Sequence, residues 1–210
     1  MSDHIIQLEH WPRKEVFQHY LHHIPCTYSI TAEWDITPLR QQKLRLYPTM
    51  LYLLAEAVNR HEEFRLQLDE QGQLWQLEQM HPSYTVFHPE TELFSNLWTE
   101  YSPDYTTFVQ RYEQTLQTYG QAPGMFPQPD TPRNTFPVSM LPWSSFTGFQ
   151  LNLQKGYDYL TPIFTMGKYF ERHGRILLPY SVQVHHAVCD GFHTCRLTNE
   201  IQQRIDAFEG

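Results

Sequence analysis

Three stretches of the chain place apolar residues at helical spacing, and the segments between them alternate as strands do. Val16, Phe17, Tyr20 and Leu21 make one helical stripe, opened by Pro12-Arg13-Lys14-Glu15 and stopped by Pro25. Met50, Leu51, Leu54, Ala55 and Val58 make a second, from Pro48 to about Arg60. Phe108, Val109, Tyr112 and Leu116 make a third, with Asp104 placed to cap its N-terminus. A last helix is predicted from Phe192 to Phe208. β-Branched and aromatic residues predict strands over Thr27–Trp34, Phe64–Leu68, Leu74–Leu77, Tyr84–His88, Thr135–Ser139, Phe149–Leu153, Ile163–Phe170 and Ile176–Val188, with a turn at Gln71-Gly72. The proline-rich stretch 121–137 reads as an irregular loop. Strands and helices mix without a βαβ rhythm. The expected class is α+β, a two-layer sandwich with a mixed β-sheet covered by helices. No hexapeptide repeat of a β-helix is present.

Length changes the picture little: 210 residues predict one domain, 1–210, able to bury a core without staples. Charge changes it more. The net charge of −8 and the smallness of the basic clusters (Arg13-Lys14 and Arg40 to Arg45) argue against nucleic-acid binding. They leave room for a local basic pocket. Aromatic residues make up 15%, with 13 Tyr and 13 Phe, which suggests aromatic walls as well as a core. Cys26, Cys189 and Cys195 are odd in number and fit no disulfide framework, so reduced thiols and a cytoplasmic location are expected. No apolar run is long enough to span a bilayer, and Met1 to Glu9 does not read as a secretory signal.

The chemistry is concentrated in Gln183-Val184-His185-His186-Ala187-Val188-Cys189-Asp190-Gly191-Phe192-His193, where the long strand meets the last helix. Two adjacent histidines, three residues and Asp-Gly form the pattern HHxxxDG. A hydroxyl is a weak nucleophile at neutral pH, and a base that removes its proton during attack typically contributes about 10²–10⁴-fold. Imidazole is suited to that role. A carboxylate nearby can fix the loop by an ion pair, and Gly191 can let the chain turn into the helix. Taken alone, a His-His pair is more often structural than catalytic; the whole motif after a long apolar strand reverses that.

With this motif the chain resembles the coenzyme A-dependent acyltransferases related to chloramphenicol acetyltransferase and the dihydrolipoyl acyltransferases. The similarity is to the chloramphenicol acetyltransferase family in particular, and it extends over Trp11 to Cys26, Tyr47 to Asn59, Thr85 to Phe94, Phe126 to Trp143 and Pro162 to Tyr169. The resemblance implies direct transfer of an acetyl group from acetyl-CoA, a co-substrate and not a resident cofactor, to the primary hydroxyl of chloramphenicol. His186 would be the general base. Asp190 would pair with Arg13 to hold the loop, Ser139 would stabilise the oxyanion, and Thr165 would order a water. Trp143, Lys168, Tyr169, Arg45 and Tyr47 would form the coenzyme site. Tyr20, Cys26, Tyr28, Thr91, Phe126, Leu151 and Tyr159 would line the acceptor pocket. The resemblance also implies a homotrimer with active sites between subunits. Arg45 stands where a lysine is frequent, Pro137 where an asparagine can line the pocket, and Tyr28 where a phenylalanine can occur. His19, His22 and His23 vary the helix beside the pocket.

Without the resemblance each of these residues has a plainer reading. Arg13, Arg45 and Lys168 would be solvated charges, Asp190 a helix cap, Thr165 and Ser139 strand residues, and each aromatic a packing residue. Other functions stay open: a different hydroxyl acceptor, a ligand-binding relative with weak catalysis, a dihydrolipoyl acyltransferase core, or a metal-binding module drawing on the 12 His. The last is disfavoured because successive strand residues point to opposite faces and the spacing matches no zinc site.

Overall fold

A computed structural model describes residues 2–152 and 158–209. Among these residues, ten strands and five α-helices follow in the order β1 (His4–Ile5), α1 (Lys14–Gln18), β2 (Thr27–Asp35), α2 (Thr37–Gln41), α3 (Leu46–Arg60), β3 (Leu66–Leu68), β4 (Leu74–Gln76), β5 (His81–His88), β6 (Leu93–Trp98), α4 (Tyr105–Tyr119), β7 (Thr135–Leu141), β8 (Ile163–Gly167), β9 (Phe170–Arg172), β10 (Arg175–His185) and α5 (Gly191–Asp206). The main sheet runs β2-β10-β8-β7-β5-β6, with β9 paired to β10, and a small sheet runs β1-β4-β3. In the main sheet β5, β7 and β8 are parallel, while β10, β2 and β6 are antiparallel to their neighbours. The sheet is therefore mixed, and the architecture is α+β, as the sequence pattern predicts.

One face of the sheet carries the core. Val138, Phe164, Val182 and Val184 alternate onto it and join buried residues of α3 and α5, including Leu51, Leu54, Leu197 and Ile201. Trp34 stacks on Tyr180, and its indole N–H donates to the Thr198 carbonyl, which ties β2 to α5. Helix α3 is buried nearly all round from Pro48 to Val58. Helix α4 starts where expected, with Asp104 accepting from the Thr107 N–H at 2.7 Å.

The opposite face carries hydroxyls. Ser139, Thr165, Ser181 and Thr31 are in register across four neighbouring strands. This row explains one correction. The alternating stretch at Phe149 is no strand over its described residues, and Leu153 lies outside them. Side chains of this face bind its backbone instead of a ladder: the Phe149 N–H donates to Thr31 Oγ1, Ser181 Oγ donates to the Phe149 carbonyl, and the Leu151 N–H donates to Gln183 Oε1.

Other boundaries also move. The first helix becomes a wider π turn over His19–His23, closed by the Ile24 N–H on the His19 carbonyl. The strand read as Ile163–Phe170 breaks at Lys168, where the Lys168 N–H donates to the Ser144 carbonyl. The strand read to Val188 ends at His185, because the Val188 and Cys189 N–H groups fold back onto the His185 carbonyl. The last helix ends at Asp206, short of Phe208. Strand β6 and the short helix α2 are additions to the sequence reading.

Candidate active site

The site is built in two halves at opposite ends of the main sheet. The first lies where β10 passes into α5. His185 closes the strand, and its Nδ1 accepts from the Ala187 N–H. His186 leaves the strand, and its own N–H donates to the Cys26 carbonyl at 2.9 Å. The imidazole stacks on Tyr20 with centroids 3.9 Å apart and meets Tyr28 edge-on at 5.4 Å. Tyr20, Cys26, Tyr28 and His186 are thus neighbours. The His186 Nδ1 is buried and lies 3.3 Å from Asp190 Oδ1, a close contact without hydrogen-bond alignment. The side chain is 29% exposed although Nδ1 is buried, so its accessible edge lies away from Asp190.

Arg13 explains why Asp190 gives His186 so little. Both carboxylate oxygens accept from Arg13 at 2.7 Å, and the same guanidinium donates to the Ala187 and His186 carbonyls. The arginine stitches the N-terminal helix to the turn that carries the histidine. Its hydrogen bonds hold the Asp190 carboxyl below the usual carboxylate range. Asp190 is also the N-terminal cap residue of α5, and its N–H donates to His193 Nδ1. Burial lowers the His193 pKa and pushes the Cys189 thiol up to about 12. Gly191 is not in the left-handed region, and a Cβ there would meet open space, so the turn does not require glycine. The bend is made upstream, by residues 186–189.

Arg13→Ala removes four donors from this turn. The expected cost is about 1–3 kcal/mol, read from chemical denaturation. The acid side follows from the lowered Asp190 pKa. A depressed carboxyl stabilises the fold above its unfolded value, near 3.8, and loses that contribution as pH falls through the lower folded value. Arg13→Ala therefore narrows its stability gap to the wild type under strongly acidic conditions; a gap independent of pH would contradict the pairing.

The second half lies at the other end, past the C-terminal ends of β5, β7 and β8. A cleft of about 530 Å³ is lined by Tyr47, Phe87, Phe94, Ser139, Pro142 and Trp143, among others. Trp143 is 60% exposed and meets Phe87 edge-on. The Tyr47 hydroxyl donates to the Val138 carbonyl, and burial raises its pKa. Lys168 is held to Ser144 and Ser145, the residues after Trp143, by two hydrogen bonds to its backbone, and neither it nor Tyr169 is among the residues lining the cleft. Arg45 is paired with Glu113. Thr165 is buried beside Ser139 in the hydroxyl row.

Of the remaining residues expected at the acceptor pocket, Thr91 and Phe126 sit apart from His186, toward the β5–β6 edge of the sheet. Thr91 lines a second cleft with Met125, and Phe94 lines both clefts. Phe126, next in sequence, is 62% exposed. Leu151 lies over Gln183, and Tyr159 is 37% exposed. Phe94 was missed by the sequence reading because β6 was missed. The run Leu93-Phe94-Ser95-Asn96-Leu97-Trp98 carries no apolar–polar alternation to mark it as a strand.

Ser139 is level with Ser181, four residues from His185 along β10 and two strands away. At a rise of about 3.4 Å per residue and about 4.8 Å between strands, His186 and Ser139 of one chain are roughly 15–20 Å apart. A single tetrahedral centre cannot touch both. Among the described residues no three or more His, Cys, Asp or Glu side chains are placed to hold a metal ion, and no helix is long and apolar enough to cross a membrane.

Comparison with known proteins gives consistent matches. The family model described as Chloramphenicol acetyltransferase matches residues 1–202. A chloramphenicol acetyltransferase of Vibrio anguillarum is 53% identical over 209 residues, covering 100% of this chain and 97% of the relative. One from Campylobacter coli is 54% identical over 201 residues, covering 96% and 97%. A solved chloramphenicol acetyltransferase structure superposes with a TM-score of 0.86 at 23% identity, covering 97% of this chain and 100% of that one.

Proposed function

The chain belongs to the chloramphenicol acetyltransferase family of acyltransferases, and from that premise we propose that it moves the acetyl group of acetyl-CoA to the primary hydroxyl of chloramphenicol, with His186 as general base. The observation that carries this reading is the setting of His186. Its Nδ1 is buried toward Asp190, its ring is clamped against Tyr20, and its accessible edge lies away from Asp190. The acceptor hydroxyl gives its proton to Nε2 as its oxygen bonds to the thioester carbonyl carbon. The resulting oxyanion accepts a hydrogen bond from the Ser139 hydroxyl, a donor of a kind worth about 10²–10³-fold. The C–S bond then breaks, the carbonyl reforms, and the thiolate takes the proton back from the imidazolium. No acetyl-enzyme is formed. Thr165, next to Ser139, orders a water at the reacting centre.

The coenzyme occupies the cleft of Tyr47 and Trp143, with Lys168, Tyr169 and Arg45 on its rim. The separation of His186 from Ser139 supports a site shared between chains. One chain supplies His186 with Tyr20, Cys26 and Tyr28. Its neighbour supplies Ser139, Thr165 and the coenzyme cleft, together with Thr91, Phe126, Leu151 and Tyr159. A homotrimer meets this need with one repeated heterologous contact that closes into a ring. The test is release of free coenzyme thiol. It should require acetyl-CoA and chloramphenicol together; release indifferent to chloramphenicol would remove it as the acceptor.

A further inference from the structure

Residues 121–134 run from α4 to β7 as irregular chain, and they lie along β6, the outer strand of the main sheet. Two ties to β6 are made by backbone: the Asn96 N–H donates to the Met125 carbonyl at 2.7 Å, and the Trp98 N–H donates to Gln128 Oε1 at 3.0 Å. The third is made by a buried side chain. The Ser95 hydroxyl donates to the Gly124 carbonyl at 2.8 Å, and the same Oγ lies 2.8 Å from His88 Nε2 on β5. His88 is opposite Leu93, two residues before Ser95, so the pair are diagonal neighbours on one face of the β5–β6 hairpin. A hydroxyl has one proton, and a carbonyl can only accept. Ser95 therefore gives its proton to Gly124 and accepts from His88, which requires the hydrogen on His88 Nε2. Gly124 sits at φ +100°, so the turn at this carbonyl calls for glycine.

The chain of bonds from His88 through Ser95 to Gly124 forms part of the wall of the second cleft, about 500 Å³, with Thr91, Phe94 and Met125. Leu93, Phe94, Met125 and Phe126 are all exposed. Apolar side chains on an irregular loop serve a ligand best when the backbone beneath them is already fixed; otherwise the loop must be ordered at the moment of binding, at a cost in affinity. Ser139 and Thr165 lie on β7 and β8, outside this chain of bonds. We propose that His88 is a positioning residue: through Ser95 and Gly124 it holds the loop of Met125 and Phe126 in place for the acceptor, and so sets acceptor affinity rather than the rate of transfer. The proposal rests on the chloramphenicol reading above.

The experiment compares KM for chloramphenicol, KM for acetyl-CoA and kcat in the wild type, His88→Ala, His88→Gln, Ser95→Ala and the double alanine variant. His88→Ala should raise KM for chloramphenicol by about tenfold, the loss of one hydrogen bond in a buried chain, with the change falling there and not on kcat or on KM for acetyl-CoA. His88→Gln keeps an amide N–H that can donate to Ser95 and should recover most of the loss. The two alanine substitutions break the same chain, so the double variant should be little weaker than Ser95→Ala alone. If Ser95→Ala does not fold, His88→Ala against His88→Gln decides the matter. KM for chloramphenicol unmoved in His88→Ala, equal change in all three constants, or His88→Gln no better than His88→Ala overturns the inference while the acceptor reading stands. No turnover of chloramphenicol by the wild type overturns the acceptor reading and this inference with it.

Discussion

Replacing His186 by alanine should lower kcat by about 10²–10⁴-fold while the protein stays folded. The size follows from the chemistry, because without the imidazole the acceptor hydroxyl must lose its proton to water during attack. The persistence of the fold follows from the geometry. The turn is held through the His186 backbone, whose N–H donates to Cys26 and whose carbonyl accepts from Arg13. Alanine keeps both. It loses the stack on Tyr20, a contact of about 0.5–1.5 kcal/mol. Turnover by thiol release and a denaturation curve measure the two effects separately. A folded variant within about tenfold of wild-type kcat would remove His186 from the role of base.

Two inactive variants should restore each other. His186→Ala keeps Ser139, and Ser139→Ala keeps His186. If each site takes one residue from each of two chains, a random equal mixture refolded together leaves roughly a quarter of the sites intact, for any ring of one repeated contact. The recovered rate should therefore far exceed either variant alone. The separation of the two residues across β10, β8 and β7 within one chain is the reason to expect it. Refolded mixtures no more active than the parent variants would place the whole site in one chain, against the register of the sheet.

That register marks the limit of what sequence can tell. The strand leading to His185-His186 was legible because β10 is almost continuously apolar near its start, from Ile176 to Tyr180, and ends in the motif. The start of α4 was legible because an Asp before an apolar stripe states its own role. The turn at His19–His23 was not, since the stripe of Phe17, Tyr20 and Leu21 fits an α-helix and a wider turn alike over so few residues. The alternation at Phe149 was misleading for a physical reason: it reports which residues share a face, and cannot say whether the backbone meets a strand or the side chains of Thr31, Ser181 and Gln183. Arg13 beside Asp190 came only through the family resemblance, because nothing local joins residues 177 positions apart.

The central claim is direct acetyl transfer to chloramphenicol, and the fate of a labelled acetyl group tests it most directly. With acetyl-CoA labelled in the acetyl carbon, the label should move to an ester at the primary hydroxyl of chloramphenicol, in step with thiol release, and none should be found on the protein when the acceptor is withheld. Label retained on the protein, or chloramphenicol recovered unlabelled while thiol is released, would contradict the account.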